Sequence, residues 1–357
     1  NNTAMVESRI NMSKIENYKW TSLLDLTGKG LSQFNAVGEN LNCSQLMRNA
    51  GLDWSVSMHP TESTINGKTI SSDKFFNLVK GEKQILTSGL TNQYHPFQNQ
   101  KLAELGDYFA KKVNINFEHC FSYDNDKAIT FLANTNGSFN IGDDVVKNFL
   151  MFNNFHTGRD KIKINSTDIS TWCSNTYMKA LSDNEQFMLA ITHRIEFNSD
   201  LENLVKHKID LALKSNQEYK EQALTLNGVN LKEQDLLKYF ILVYGDKELF
   251  SEFDKHGKKD YSFFNGLSGH QQVKRCYGIW HDTIESNGKT FKLQNTGNAV
   301  RKDTLWKAFN CITYNEDHLR GGIDNQSSRL KNTFTSNGLG NVKTKAMNTA
   351  LELAKAA

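Results

Sequence analysis

The stretch from Val113 to Thr135 reads "VNINFEHCFSYDNDKAITFLANT", and the class of the fold turns on it. Two runs rich in β-branched and aromatic residues flank Asp124-Asn125-Asp126, residue types that tolerate the left-handed backbone of a tight turn. The pattern predicts an antiparallel hairpin, "VNINFEHCFSY" returning as "KAITFLANT". Two further hairpins precede it. "DWSVSMHP" alternates Trp54, Val56 and Met58 with Ser55, Ser57 and His59, and Asn66-Gly67 carries the type I′ turn signal. "DKFFNLV" and "KQILTSGLT" flank Lys80-Gly81-Glu82-Lys83, a turn with a charged tip. Two helices belong to the same region. "NCSQLMRNAG" offers Asn42 or Ser44 as a cap and Gly51 as a stop. After "NQYHPFQNQ", Leu102, Leu105 and Phe109 recur at three- and four-residue steps.

Past residue 181 the periodicity turns helical. "SDLENLVKHKIDLALKSNQEYKEQAL" is followed by "LKEQDLLKYFILVYG", where Asn230 and Glu233 have capping-box spacing. "DTLWKAFNCITYNEDHL" and "NVKTKAMNTALELAKAA" close the chain, and the Gly-, Asn- and Lys-rich residues 251–300 are expected to form a long loop. The expected fold class is therefore α+β. An N-terminal arm (1–40) leads into a β-hairpin-rich antiparallel sheet with a packed helix (41–180), and a mainly helical C-terminal half (181–357) follows.

Composition narrows the function classes. With 38% apolar residues in 357, the chain can fill a real core. The net charge of +3 is the small difference between 42 basic and 39 acidic residues, so a nucleic-acid surface has to come from local clusters. No window reaches the roughly 18 continuous apolar residues of a membrane helix. "NNTAMVESRINMSK" lacks the basic-then-apolar order of a signal peptide, so the expected compartment is cytoplasmic. Five cysteines without a C-x-x-C pair point to reduced, buried thiols. "LTGKGLSQF" lacks the Walker pattern and the histidines lack metal-site spacing, so neither cofactor nor metal is expected.

Three constellations remain. In "NNFHTGRDKIKINSTDISTWCSNTY", strand alternation puts Arg159, Lys161, Lys163 and Asn165 on one face and Ile162 and Ile164 on the other. Like-facing residues lie about 6.6 Å apart, near the phosphate spacing of an extended single strand. The basic comb is either a phosphate-tracking face or a solvated one whose lysines discourage edge pairing. His156 beside Asp160 lacks a nucleophile elbow or a second carboxylate, which favours a structural histidine over an acid–base pair. Tyr94, His95, Gln98 and Asn99 sit at the mouth of a helix, where free N–H groups and a ring suit phosphate and base; equally, Asn99 can be the N-cap and Tyr94 a core edge. Finally, Arg275, Arg301, Lys302, Arg320, Arg329, Lys331, Lys343 and Lys345 interleave with Tyr277, Trp280, Trp306 and Tyr314, a mixture used by single-strand binders and by ordinary helical proteins alike.

Several landmarks occur in one order: "LMRNAGLDWSV", "YHPFQNQ", "NNFHTGRDKIKI", "TWCSNTY", "ITHRI", "LWKAFNCITYNEDHLRGG" and "LKNTFTSNGLGNVKTKAMNTALELA". Over roughly residues 40–355 this resembles the phage and plasmid-like proteins grouped as domain of unknown function 932. His156 and Gly158, then Cys173, Asn175 and Thr176, match that family's pattern, while Thr157 and Arg159 depart from it. The resemblance implies cargo of phages and conjugative plasmids, often beside recombination genes. By fold-level analogy to single-strand annealing proteins of the Redβ kind, it implies a non-enzymatic homo-oligomer, a ring or filament on single-stranded DNA in the bacterial host cell. On that expectation Arg159, Lys161 and Lys163 meet phosphates, Lys80 and Lys83 add electrostatic capture, and Tyr94 and Trp172 stack bases. Gln98, Asn99, His156 and Asn175 belong to the same surface. The alternative is a phage structural or host-interaction assembly protein that does not bind DNA.

Overall fold

The computed structural model describes residues 42–113, 115–135, 137–158, 162–170, 176–177, 189–191, 199–246, 248–249, 251, 267–286, 289–293, 296–319 and 339–357. Helix α1 (Cys43–Asn49) opens with a capping box between Asn42 and Gln45 and stops at Gly51, whose φ is 66°. The first sheet follows directly, with β1 (Val56–Ile65), β2 (Lys68–Lys80) and β3 (Gln84–Leu90) in that spatial order. Its first turn is the expected one, because Asn66 and Gly67 both take positive φ, 52° and 76°, between paired Ile65 and Lys68. Only Val56, Leu78, Leu86 and Leu90 form its core. The outer half of the β1–β2 ribbon is open: Ile65 and Ile70 are each 57% exposed and Phe75 50%. Pairing shifts between Pro60 and Glu62, where the Ser72 hydroxyl accepts from the N–H groups of Lys74 and Phe75 and bends the ribbon.

The second sheet has seven strands. β4 (Asn116–Tyr123), β5 (Ala128–Asn134), β7 (Asp144–Phe155), β8 (Ile162–Ser170) and β10 (Leu189–Ile191) run in the order β10-β8-β7-β5-β4, with β6 (Phe139–Ile141) on β7 and β9 (Thr176–Tyr177) on β8. The β4–β5 hairpin turns at Asp124, Asn125 and Asp126, all with positive φ. Helix α2 (Asn99–Val113) covers one face. Leu102, Leu105 and Phe109 are buried against it, and the Phe109 and Phe152 rings lie 6.4 Å apart.

Register confirms the alternation in β8 and corrects its surroundings. Phe152 is opposite Ile164, on the α2 face, whereas Asn153 is opposite Lys163 and Met151 opposite Asn165, on the second face. That second face is interior as well: Met151, Asn153 and Thr167 are 0% exposed and Asn165 is 4%. β8 is paired on both sides, by β7 and by β10 and β9, so its described part is neither an edge nor an open comb of charge. Polar residues tolerate such burial where they pair across strands, as Thr130 Oγ1 does with Asn153 Oδ1 at 2.6 Å.

Helices α3 (Ser199–Asn227), α4 (Glu233–Tyr244), α5 (His270–Trp280), α6 (Leu305–Tyr314) and α7 (Leu339–Ala356) follow, and α6 runs on into a π-helical turn (Asn315–Leu319). The C-terminal half is nevertheless not helix alone, because strands occur there too. β10 joins the large sheet, and the residues expected as a long loop contain α5 and a hairpin, β11 (Thr283–Ser286) with β12 (Lys289–Lys292). The expected capping box at Asn230 is absent: α4 starts after Lys232 without a side-chain cap, and Asn230 bridges to Thr304 instead. One continuous core joins residues from Cys43 to Ala350.

Two of the C-terminal cations are also core residues. Arg301 Nε lies 2.7 Å from Asp144, both side chains 0% exposed, and Asp144 accepts from Trp306 Nε1 at 3.2 Å. Lys343 Nζ meets Asp317 at 2.5 Å with side-chain exposures of 4% and 1%. Trp306 and Tyr314 are buried beside them. An unpaired charge at such depth is strongly destabilising, which is why each cation has its carboxylate. Among the described residues no helix is long and apolar enough to cross a membrane.

Candidate functional site at the junction of the two sheets

Where the small sheet meets the large one, five residues singled out in the sequence come together: Lys80, Tyr94, Gln98, Asn99 and His156. Most of them hold structure. His156 is 0% exposed; its N–H donates to Lys127 O and its carbonyl accepts from Thr87 Oγ1, both at 2.6 Å. The backbone of one residue thus ties β3 to the entry of β5. Asn99 is also buried, and it is not the N-cap of α2, because Gln98 O takes the helical N–H of Leu102. The Asn99 amide nitrogen donates to Leu52 O (3.0 Å) and Trp54 O (3.2 Å), which leaves its Oδ1 facing His156 Nε2 at 2.9 Å. That orientation requires a hydrogen on Nε2 and so selects the tautomer. Asn154 completes the group by donating to Phe97 O at 2.8 Å. Gln98 is equally occupied, since its amide donates to Val56 O at 2.9 Å and accepts from Val56 N–H at 3.0 Å.

Lys80 is tied down too. Its ammonium lies 2.5 Å from Asp126 and 4.7 Å from the centre of the Trp54 ring, and Trp54 in turn lies 5.3 Å from the His156 ring. Lys83, at the β2–β3 turn, is exposed. Gln84 Nε2 donates to Asn125 O at 3.1 Å and so fastens this turn to the β4–β5 turn. Gly158 has φ 75°, and a Cβ there would stand 2.1 Å from Leu90 Cδ2. The spacing His156-x-Gly158 therefore has a physical reason: the histidine anchors the junction, and the glycine lets β3 approach it.

In front of this network opens a cleft of about 700 Å³, lined by Thr87, Ser88, Gly89, Thr91, Tyr94, Asp124, Lys127, Thr157 and Gly158 among others. Hydroxyls and backbone line it together with one ammonium (Lys127), one carboxylate (Asp124) and the apolar Ile85, Leu86 and Leu90, and burial pushes the Tyr94 phenol up to about 12. Of the expected residues only Tyr94 lines it directly, with His156 immediately behind Thr157. Sequence patterns missed Thr87, Ser88 and Lys127. The available signal was the glycine inside the strand pattern of "LTSGLT", which marks a close backbone approach.

Lys163, by contrast, sits in the large sheet with its ammonium 5.1 Å from the centre of the Phe155 ring. Arg159, Lys161, Trp172 and Asn175, and Arg320, Arg329 and Lys331 of the C-terminal cluster, lie outside the described residues. Four cysteines, Cys43, Cys120, Cys276 and Cys311, are free and buried, and burial raises the thiols of the first three well above the usual range. Those thiols stay protonated and behave as small apolar groups. Among the described residues no cluster of His, Cys, Asp and Glu could hold a metal ion.

No curated protein and no solved structure matches the chain. Residues 88–355 match the family model described as Domain of unknown function (DUF932), a span that includes Tyr94, Gln98, Asn99, His156 and Gly158. The chain belongs to the family of domain of unknown function 932.

Proposed function

We propose that the protein binds and anneals single-stranded DNA as a non-enzymatic homo-oligomer of a phage or plasmid, acting in recombination or replication without a cofactor. The observation that supports this is the junction cleft. Its Ser88, Thr91 and Thr157 hydroxyls and its Gly89 and Gly158 backbone suit a sugar–phosphate chain, with Lys127 inside beside the Asp124 carboxylate and Lys83 exposed on the neighbouring turn. Tyr94 offers a ring to a base, whereas Lys80, Gln98, Asn99 and His156 shape the wall rather than touch the strand. The test is filter binding of an oligonucleotide over a salt series. Affinity falls by roughly 0.7 log units per log unit of salt for each phosphate contacted. No affinity, or affinity indifferent to salt, rejects the proposal.

One observation favours the alternative, a structural or host-interaction assembly protein. The β1–β2 ribbon leaves the large apolar side chains Ile65, Ile70 and Phe75 half or more exposed, surface that an assembly contact would cover. Electron microscopy with and without oligonucleotide separates the two: rings or filaments that change with DNA support annealing, and particles indifferent to it support assembly.

A further inference from the structure

We propose that two copies of the chain pair through the outward face of the small sheet, along an apolar track formed by Ile65, Ile70, Phe75, Val79 and Ile85. The inference rests on the homo-oligomer of the reading above and supplies one of its contacts, leaving the hydroxyls of the junction cleft to the strand.

Register sorts the two faces. Val56 with Lys80 and Met58 with Leu78 point at the body, where Val56, Leu78, Leu86 and Leu90 make the core. Alternation then turns the pairs Ser57–Val79, Ser63–Ile70 and Ile65–Lys68 outward, and Ile85, opposite Val79, turns with them. The residues added by the bulge, Ser72 to Phe75, lie on β2 opposite Thr61, so the alternation of β1 is unbroken. Ile65, Ile70 and Ile85 are each more than half exposed, and Phe75 is half exposed. The other face of the outer ribbon is complete in itself: the Ser71 hydroxyl donates to Glu62 at 2.9 Å, and the Thr64 and Thr69 hydroxyl oxygens lie 3.5 Å apart. One face is thus polar and satisfied, and the other is apolar and open. A two-stranded ribbon is marginal in water unless its apolar face packs against something.

Charge and pattern together select a second copy as the cover. Glu62 and Asp73 balance Lys68 and Lys74 along the outer ribbon, which gives a polyanion nothing to follow. The track is also self-complementary: Ile65 and Ile70 stand near the tip, Val79 and Ile85 at the base, and Phe75 between them. A two-fold axis beside Thr61 lays the tip of each copy on the base of the other and brings the two Phe75 side chains together, an isologous contact. From Ser57 to Ile65 the track runs about 26 Å, and two to three strands make it about 10–15 Å wide. That strip covers on the order of 400 Å² in each copy, about half of what a standard interface takes from one partner. The pair therefore forms reversibly and only as concentration rises.

The test follows the full chain without DNA by sedimentation velocity over a concentration series, wild type beside a chain carrying both Ile65→Thr and Ile70→Thr, which keep the β-branched shape. Wild type passes from one chain to a pair as concentration rises. The double variant pairs about tenfold or more weakly, and in dilute solution it melts and binds an oligonucleotide as wild type does. Oxidative cross-linking, with wild type as control, reads the arrangement. Thr61→Cys links to its own copy, Ile65→Cys alone does not, and Ile65→Cys mixed with Val79→Cys does. Wild type that stays a single chain at every concentration overturns the contact and gives the ribbon to some other occupant; salt-dependent oligonucleotide binding by that single chain leaves strand binding standing. Pairing that the double variant retains in full, or Ile65→Cys linking to itself, overturns this surface and leaves homo-oligomerisation to another one. Pairing as expected with no oligonucleotide binding at any salt supports the contact while strand binding falls.

Discussion

The two sheets of this protein solve opposite problems. The small one rests on four buried residues, and half of its β1–β2 ribbon is exposed on both faces. The large one buries both faces, so that β5 and β7 run through almost without a solvent-facing residue. A sheet of the first kind is held by its attachment, and one of the second kind by its interior. Stability should therefore be unevenly distributed, with backbone amides of β1 and β2 exchanging well before those of β5 and β7.

Breaking an interior pair has the largest effect. Asp144→Ala strands Arg301 and Trp306 Nε1 in the core and costs about 3–5 kcal/mol in urea unfolding. The attachment comes next. Gly158→Ala forces a Cβ into Leu90 at a positive φ and costs about 2 kcal/mol, with faster exchange confined to the small sheet. Leu90→Ala in the same chain restores part of that loss, the signature of two residues sharing one contact. Alkaline titration probes the same seam: the Tyr94 phenol is raised to about 12 from the usual value near 10. The unfolded chain ionises first, so stability is complete below about pH 10 and is lost toward pH 12. Tyr94→Phe flattens that decline in a pH series of thermal melts. Asp126→Asn, which removes the charge facing the partly exposed Lys80 but keeps a residue type that tolerates the positive φ of the turn and can accept from Ser122, costs at most about 1 kcal/mol. Ile70→Thr on the open ribbon changes stability by less than about 0.5 kcal/mol, and a larger loss would show that the ribbon is covered.

The same contrast explains what was legible in the sequence. Turns are local chemistry, so Asn66-Gly67, the Lys80 to Lys83 tip, Asp124 to Asp126 and the Asn42 cap could all be read from a few residues. Alternation in β8 was equally local, and it placed Ile162 and Ile164 on a face away from Lys163 and Asn165. What alternation cannot supply is the second layer: a polar face looks the same in sequence whether it meets water or the interior. Arg301 shows the limit most clearly, because its partner Asp144 lies 157 residues away. At the candidate site the sequence found the residues of the wall, Asn99 and His156, through their chemistry. It missed the cleft in front of them, because small hydroxyls and glycines become a surface only once two hairpins are brought together.

Gln98 and Asn99 carry one more consequence. Both lie inside the family span that starts at residue 88, and both grip residues that precede it: Gln98 holds Val56, and Asn99 holds Leu52 and Trp54. Every one of those bonds goes to main chain, which every amino acid but proline shares in full. The fitting is a socket that recognises an extended backbone and is indifferent to its lettering. The ribbon that plugs into it can then be lengthened, shortened or rewritten without redesigning the body, and it lies outside the span that the family model matches.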